Sequence, residues 1–176
     1  MRCIDTDVPG VVLLEPVVFD DERGFFMETW NRRTLEAFGI EENFVQDCHS
    51  GSTLWVLRGL HYQETHPQAK LVRVVTGEVF DVAVDLRQGS PTFRRWVGVH
   101  LSSTNRRQLY VPAGFAHGFL VLSETADLLY KCSDYYDPAG ERGLAWNDPA
   151  LAIDWPLPQG VRPILSPKDA SYGFLP

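Results

Sequence analysis

Three side chains suited to moving protons fall on three separate apolar runs: His61 in Leu60-His61-Tyr62-Gln63, Lys70 at the head of Lys70-Leu71-Val72-Arg73-Val74, and His117 in Pro112-Ala113-Gly114-Phe115-Ala116-His117. An imidazole can accept a proton near neutral pH. A lysine in apolar surroundings is a fixed cation whose desolvation is unfavourable unless it is paired or used. Alternation groups Lys70 with Val72 and Val74 against Leu71, Arg73 and Val75, and because both faces are mixed, parity leaves its direction open. His61 and Gln63 share a face of their own run. Taken alone, His117 reads as a satisfied histidine inside a barrel and Asp169 as a surface acid near a flexible end. Tyr130, in parity with Leu128 and Cys132, points inward, and alone it reads as a core tyrosine with a satisfied hydroxyl. Three polar groups from three strands together describe a polar, metal-free pocket within a sandwich.

The elements that must hold these groups are strands. Fourteen Gly and twelve Pro fall singly between short runs of Val, Leu, Phe and Trp, the punctuation of many short strands rather than of helices. The pattern predicts strands near 11–15, 24–30, 43–49, 54–63, 70–76, 78–86, 95–102, 108–112, 117–123 and 126–132. In 78–86, Glu78, Phe80, Val82, Val84 and Leu86 alternate with Val79, Asp81, Ala83 and Asp85, which predicts a half-buried strand with the acids opposite the apolar face. Thr76-Gly77-Glu78 is expected to make a hairpin turn before it. One short helix is expected, capped by Asn31, carrying Leu35 and Phe38 and ended by Gly39. Beyond residue 137 the proline-rich chain cannot build a core and must wrap an existing body. An all-β sandwich or barrel, one domain over 1–176 with no repeat or linker, is the expected architecture.

Composition narrows the partners. Sixteen Lys+Arg against 23 Asp+Glu give a net charge of −7 over 176 residues, which disfavours nucleic acid and anionic membranes. The doublets Arg32-Arg33, Arg94-Arg95 and Arg106-Arg107 are too scattered for a basic stripe. No apolar run approaches roughly 18 residues, and Met1 is followed by Arg, Cys and two nearby Asp rather than by a signal-peptide core. Cys3, Cys48 and Cys132 are odd in number and lack CxxC spacing, which argues against a disulfide framework and fits a reducing, cytoplasmic compartment.

The PxGxxH pattern ending at His117 resembles the second signature of the cupins, double-stranded β-helix jelly rolls in which that histidine usually binds a metal. Where the first cupin signature has His-x-His followed by Glu, this chain has His61-Tyr62-Gln63 and, further on, Lys70. Glutamine is a poor metal ligand and an ammonium cannot bind a cation. A longer set of motifs runs in order: Val56-Leu57-Arg58-Gly59-Leu60-His61-Tyr62-Gln63, Gly77-Glu78-Val79-Phe80-Asp81-Val82, Gly89-Ser90-Pro91-Thr92-Phe93, Pro112 to Phe119, Tyr130-Lys131 with Asp134-Tyr135-Tyr136, Trp146-Asn147-Asp148-Pro149, and Leu165-Ser166-Pro167-Lys168-Asp169. From about Gly10 to Asp169 this resembles the dTDP-4-dehydrorhamnose 3,5-epimerase family.

The resemblance implies a cupin-type jelly roll with short peripheral helices and a C-terminal wrapping segment. It implies epimerisation at C3 and C5 of dTDP-4-dehydro-6-deoxy-D-glucose to dTDP-4-dehydro-L-rhamnose through an enolate on the C4 oxygen, with neither metal nor other cofactor. It also implies roles. His61 is the general base and Asp169 the carboxylate that orients it. Lys70 stabilises the enolate with help from His117, and Tyr130 is the proton donor on the other sugar face. Arg23 and Arg58 match positions near the diphosphate. Phe26, Glu28 and Gln46 match the thymidine-contacting set, in which Asp47 and Cys48 complete the Gln-Asp-Asn run, and Glu141 and Lys168 match further substrate contacts. A homodimer is implied, with residues 23–28 donated to the neighbouring subunit's nucleotide site.

Cys48 stands where the family pattern usually has Asn, which puts one nucleotide contact in question. Trp55 and Arg94 each replace a common Gly, and Trp55 is expected to alter access to the pocket. The competing readings are a single-centre epimerase of the same family, a metal-dependent cupin enzyme and a non-catalytic nucleotide-sugar-binding relative.

Overall fold

The computed structural model describes residues 1–175. Its thirteen strands are β1 (Arg2–Asp5), β2 (Val12–Glu15), β3 (Val18–Asp21), β4 (Gly24–Met27), β5 (Gln46–Thr53), β6 (Leu57–Gln63), β7 (Lys70–Thr76), β8 (Glu78–Asp85), β9 (Trp96–Ser102), β10 (Gln108–Val111), β11 (Phe115–Val121), β12 (Thr125–Cys132) and β13 (Glu141–Gly143). One sheet has the order β1-β2-β10-β7-β12-β5 and the other β13-β6-β11-β8-β9, every named pair antiparallel. From β5 to β13 the chain alternates between the two sheets, apart from the adjacent pair β8–β9, which makes a cupin-type jelly roll. The hairpin β3–β4 stands apart from both.

Period-2 alternation divides the apolar residues into layers. Val72, Val74, Leu109 and Leu128 of the first sheet meet Val79, Ala83, Leu101 and Phe119 of the second in the central core. The outer face of the second sheet carries Leu57, Phe80, Val82, Val84 and Leu120, and the C-terminal segment covers it with Leu144, Leu151 and Trp155. Each of these large side chains contributes about 1.5–3 kcal/mol by leaving water. The wrapping tail expected from its prolines is therefore the third layer of the molecule. On the first sheet's outer face, helix α1 (Arg32–Glu36) seats Leu35 beside Leu14 and Leu71. Asn31 caps α1 by accepting from the Arg33 and Thr34 amides, and Gly39 turns the chain away at φ 77°.

Two expectations are corrected. Thr76-Gly77-Glu78 is not a hairpin, because β7 and β8 lie in different sheets. Gly77 is a corner, at φ 75°, where a Cβ would stand 2.0 Å from the Thr125 carbonyl oxygen. Nor is β8 half-buried: the tail covers its apolar face and its acid-bearing face looks into the sandwich, so Asp81 and Asp85 are both fully buried. Asp85 accepts from Arg87 Nε (2.9 Å) and Nη2 (2.8 Å), Ser90 Oγ (2.6 Å) and Thr92 Oγ1 (2.7 Å). Burial would raise its pKa, but these donors outweigh that and hold it well below the usual carboxylate range. The pattern of alternation cannot show what covers the second face of a strand. Strands β1, β3 and β13 were also not apparent from sequence, being only three or four residues long.

Candidate active site

In the second sheet, His117 of β11 pairs directly with His61 of β6, and a bulge follows at once, so that Phe119 pairs with Arg58. The two backbones touch at glycines there. A Cβ on Gly118 would lie 2.6 Å from the Arg58 carbonyl oxygen, and one on Gly59 would lie 2.6 Å from the Gly118 Cα. This close approach is what the Gly59 and Gly118 of the two motifs provide. Both imidazoles then face one cleft between the sheets.

Each histidine has a carboxylate. His61 Nε2 lies 2.5 Å from Asp169 Oδ1, with the side chains 29% and 5% exposed. His117 Nε2 lies 2.8 Å from Asp81 Oδ1, with the side chains 8% and 0% exposed. Asp169 opens a short 3-10 turn (Asp169–Ser171), where its amide donates to Ser166 Oγ at 3.0 Å. Burial works against its charge, but the bond to His61 prevails and its pKa is lowered. An ionised Asp169 accepts a hydrogen bond from the Nε2–H group, which leaves Nδ1 of the neutral ring with the free lone pair.

The first sheet forms the opposite wall. Lys70 and Tyr130 lie on β7 and β12 and look into the cleft, as does Cys48, which pairs with Tyr130 across β5 and β12. The Lys70 side chain makes no hydrogen bond or ion pair among the described residues, and burial pushes its pKa down. Tyr130 is pushed up, by burial first and then by the Cys48 thiol, so its phenol stays protonated well above neutral pH. Cys48 Sγ accepts from Gln46 Nε2 at 3.0 Å, and Cys132, beneath them, is pushed up to about 12 by burial.

Two adjoining lobes of about 110 and 270 Å³ share His61, Lys70, Tyr130, Tyr136 and Glu141. Gln46 and Cys48 line the first lobe, and Arg58 and His117 the second. Glu141 accepts from Tyr136 Oη at 2.6 Å and pairs with Lys168. Arg58 is tied to Ser52 Oγ at 3.0 Å and to the Gly51 carbonyl at 3.2 Å. Asp47 is not brought into the cleft, since strand alternation turns it to the other face of β5, where it pairs with Lys131 at 2.9 Å. Arg23, Phe26 and Glu28 do not reach the cleft either. The Arg23 side chain, 86% exposed, is paired with Asp21, Phe26 is bare on the hairpin, and Glu28 accepts from Asn31 at 3.0 Å.

Trp55 lines neither lobe and packs in the layer beneath the tail, contrary to the expected effect on access. It and Arg94 adopt left-handed φ values of 63° and 69°, the conformation for which a glycine would be the ordinary choice. Gln63 serves as a clamp, donating to the carbonyls of His66 and Tyr135 and accepting from the Asp137 amide. Sequence reading missed Asp81 as the partner of His117, as well as Ser50, whose buried hydroxyl lacks a hydrogen-bond partner on the first wall of the cleft. The alternation of Asp81 with Val82 is the available signal, and it places Asp81 opposite the apolar face without showing that a second layer covers it.

An imidazole–carboxylate pair on one wall, with a protonated phenol and an unpaired ammonium on the other, can take a proton from one face of a bound molecule. They can return it on the other while holding negative charge. Fold and site together define a jelly-roll isomerase. The family model for dTDP-4-dehydrorhamnose 3,5-epimerase matches residues 5–176. Relatives of that name include one from Pseudomonas aeruginosa, 58% identical over 96% of this chain and 93% of its own length. Another, from Neisseria gonorrhoeae, is 57% identical over 96% of this chain, which spans about half (51%) of that longer relative. A crystal structure of the Legionella pneumophila epimerase in complex with dTDP-4-keto-L-rhamnose superposes with a TM-score of 0.94 at 54% identity, covering 98% of this chain and 92% of that one. The chain belongs to the dTDP-4-dehydrorhamnose 3,5-epimerase family, and it is an isomerase that epimerises a dTDP-4-dehydro-6-deoxyhexose at C3 and C5.

Proposed function

We propose that one domain, residues 1–176, carries out this reaction by proton transfer alone, with His61 as base and Tyr130 as acid. The supporting observation is that the two groups stand on opposing sheets of one cleft, with Lys70 on the strand next to Tyr130. Epimerisation requires this arrangement, because a proton must leave one face of the carbon and return to the other. His61 Nδ1 removes the proton next to the C4 ketone, and Asp169 stabilises the imidazolium that results. The negative charge moves to the C4 oxygen, where the Lys70 ammonium meets it in a water-poor setting, aided by the His117 imidazole fixed by Asp81. Tyr130 delivers a proton from the opposite side, and Gln46 and Cys48 border its wall. The same steps serve C3 and C5, since both flank the ketone. No electron is transferred, and neither a metal nor another cofactor has a task in it.

The diphosphate falls to Arg58 and Lys168, with Glu141 setting the Lys168 ammonium. The nucleotide end is completed by a second copy of the chain. Arg23, Phe26 and Glu28 sit on or beside a hairpin remote from this chain's own cleft and carry exposed aromatic surface at Phe19, Phe25 and Phe26. A homodimer in which each hairpin reaches its partner's cleft gives those residues their roles. Arg23→Ala is expected to raise KM with kcat nearly intact and Tm unchanged, and sedimentation should report two copies. An undiminished affinity or a monomer defeats the shared site. For the chemistry, substrate incubated in D2O and followed by NMR should gain deuterium at both C3 and C5. Label at one carbon alone would replace the double epimerisation with a single-centre one.

A further inference from the structure

The tail that delivers Asp169 also delivers a second side chain to the base. Residues 169–175 form a strap held at both ends. The Asp169 amide is tied to Ser166, the Ala145 amide donates to the Gly173 carbonyl at 2.9 Å, and the Leu175 amide donates to the buried Asp148 Oδ2 at 2.6 Å. Midway along it stands Tyr172, whose ring meets the His61 imidazole edge-on, with centroids 5.8 Å apart and planes at 74°. This is a favoured aromatic geometry. The slot for the ring is cut in the sheet itself. Gly143 is the residue of β13 that pairs with His61 across β6, and a Cβ there would lie 2.2 Å from Tyr172 Cε2 and 2.3 Å from Cζ. The Tyr172 hydroxyl is buried near the Lys168 ammonium without a well-formed hydrogen bond, so the ring rather than the hydroxyl accounts for its place.

We propose that Tyr172 is a positioning residue for the epimerisation: its ring, admitted by the bare Gly143, holds the His61 imidazole at the angle that keeps Nε2 on Asp169 and Nδ1 toward the sugar. Asp169 fixes one atom of the imidazole, and a single hydrogen bond leaves the plane free to rock about it. A ring edge against the imidazole removes that freedom. Proton abstraction is sensitive to such rocking, because small misplacements of a reacting atom are magnified in rate. Substrate binding is not, since Tyr172 lines neither lobe of the cleft. The inference rests on His61 being the base.

The test is a cycle on the full-length protein with kcat, KM and deuterium uptake from D2O as readouts. Tyr172→Ala should lower kcat about tenfold and slow deuterium uptake equally, with KM within about twofold of wild type. Tyr172→Phe, which keeps the ring, should retain kcat within about twofold. Gly143→Ala should reproduce the kcat loss, because its Cβ displaces the ring. In the Tyr172→Ala background the Gly143 substitution should cost nothing further, because the slot is empty. A wild-type kcat in Tyr172→Ala, a loss confined to KM, or losses that multiply in the double variant would overturn the proposal. If Tyr172→Ala fails to fold, the Gly143→Ala and Tyr172→Phe variants decide it: full kcat in the first or a lost kcat in the second refutes it. His61→Ala, run alongside, separates the two levels. If it turns over normally, the assignment of the base fails. If it is inert while Tyr172→Ala is unaffected, only the positioning role fails.

Discussion

His61 and His117 face each other across two hydrogen-bonded strands, and each bonds an aspartate through Nε2. Their surroundings differ. The partner of His117, Asp81, comes from the neighbouring strand of the same sheet, and the pair is almost wholly buried, with the imidazole at the wall of the second lobe. The partner of His61, Asp169, comes from 108 residues along the chain, and the imidazole keeps a side open to the cleft. The more buried pair holds its imidazole in a fixed direction. The more open pair leaves one side of its imidazole accessible to a bound molecule. The same two residue types thus make a deeply buried pair in one place and a partly open pair in the other, and the difference lies in what lies over them.

The largest effects should separate the pairs. His61→Ala should lower turnover ~10²-fold or more while leaving thermal unfolding nearly unchanged. His117→Ala should lower turnover less than this but cost about 3 kcal/mol of stability, because it also strands the fully buried Asp81. Calorimetry beside steady-state kinetics reads both. Equal stability losses in the two variants would erase the distinction between the two pairs.

Lys70→Met should cost about 10²-fold in kcat, the scale of losing one preorganised group at a developing oxyanion. The pH profile sharpens the assignment. Burial lowers the Lys70 pKa and raises that of Tyr130, so the alkaline limb of kcat should fall below the range of an ordinary lysine and belong to Lys70. A limb unmoved in Lys70→Met would assign it elsewhere.

The smallest effect concerns a carboxylate that only supports. The folded-state pKa of Asp85 is depressed, so its contribution is fully present above the unfolded value of about 4 and is lost as pH falls toward the folded value. Asp85→Asn should therefore cost about 2 kcal/mol at pH 7 and progressively less in acid, with kcat unaffected. Urea unfolding at pH 7 and below pH 4 measures this. A constant difference across that range would mean that Asp85 acts through shape rather than charge.

Much of the fold was legible because its signals are local. Alternation located β7, β8 and β12, Asn31 and Gly39 bracketed α1, and the proline spacing after residue 137 identified a wrapping tail. Within the site, the inward direction of Tyr130 followed from its parity with Leu128 and Cys132, whereas the mixed parity of β7 could not orient Lys70. The assignment of Asp169 to His61 came from a family motif, because no periodicity links residues 108 positions apart.

The sequence by itself determined the class of strand-built body and carried the motifs that hold His61, Lys70 and Tyr130. Only the tertiary structure decided that Gly77 is a corner between sheets, that the acid face of β8 is interior, and that Gly143 leaves room for Tyr172 beside His61. The reason is physical. Propensity and alternation act between neighbours along the chain, while burial, and with it the charge and direction of a side chain, is set by whatever distant segment packs on top.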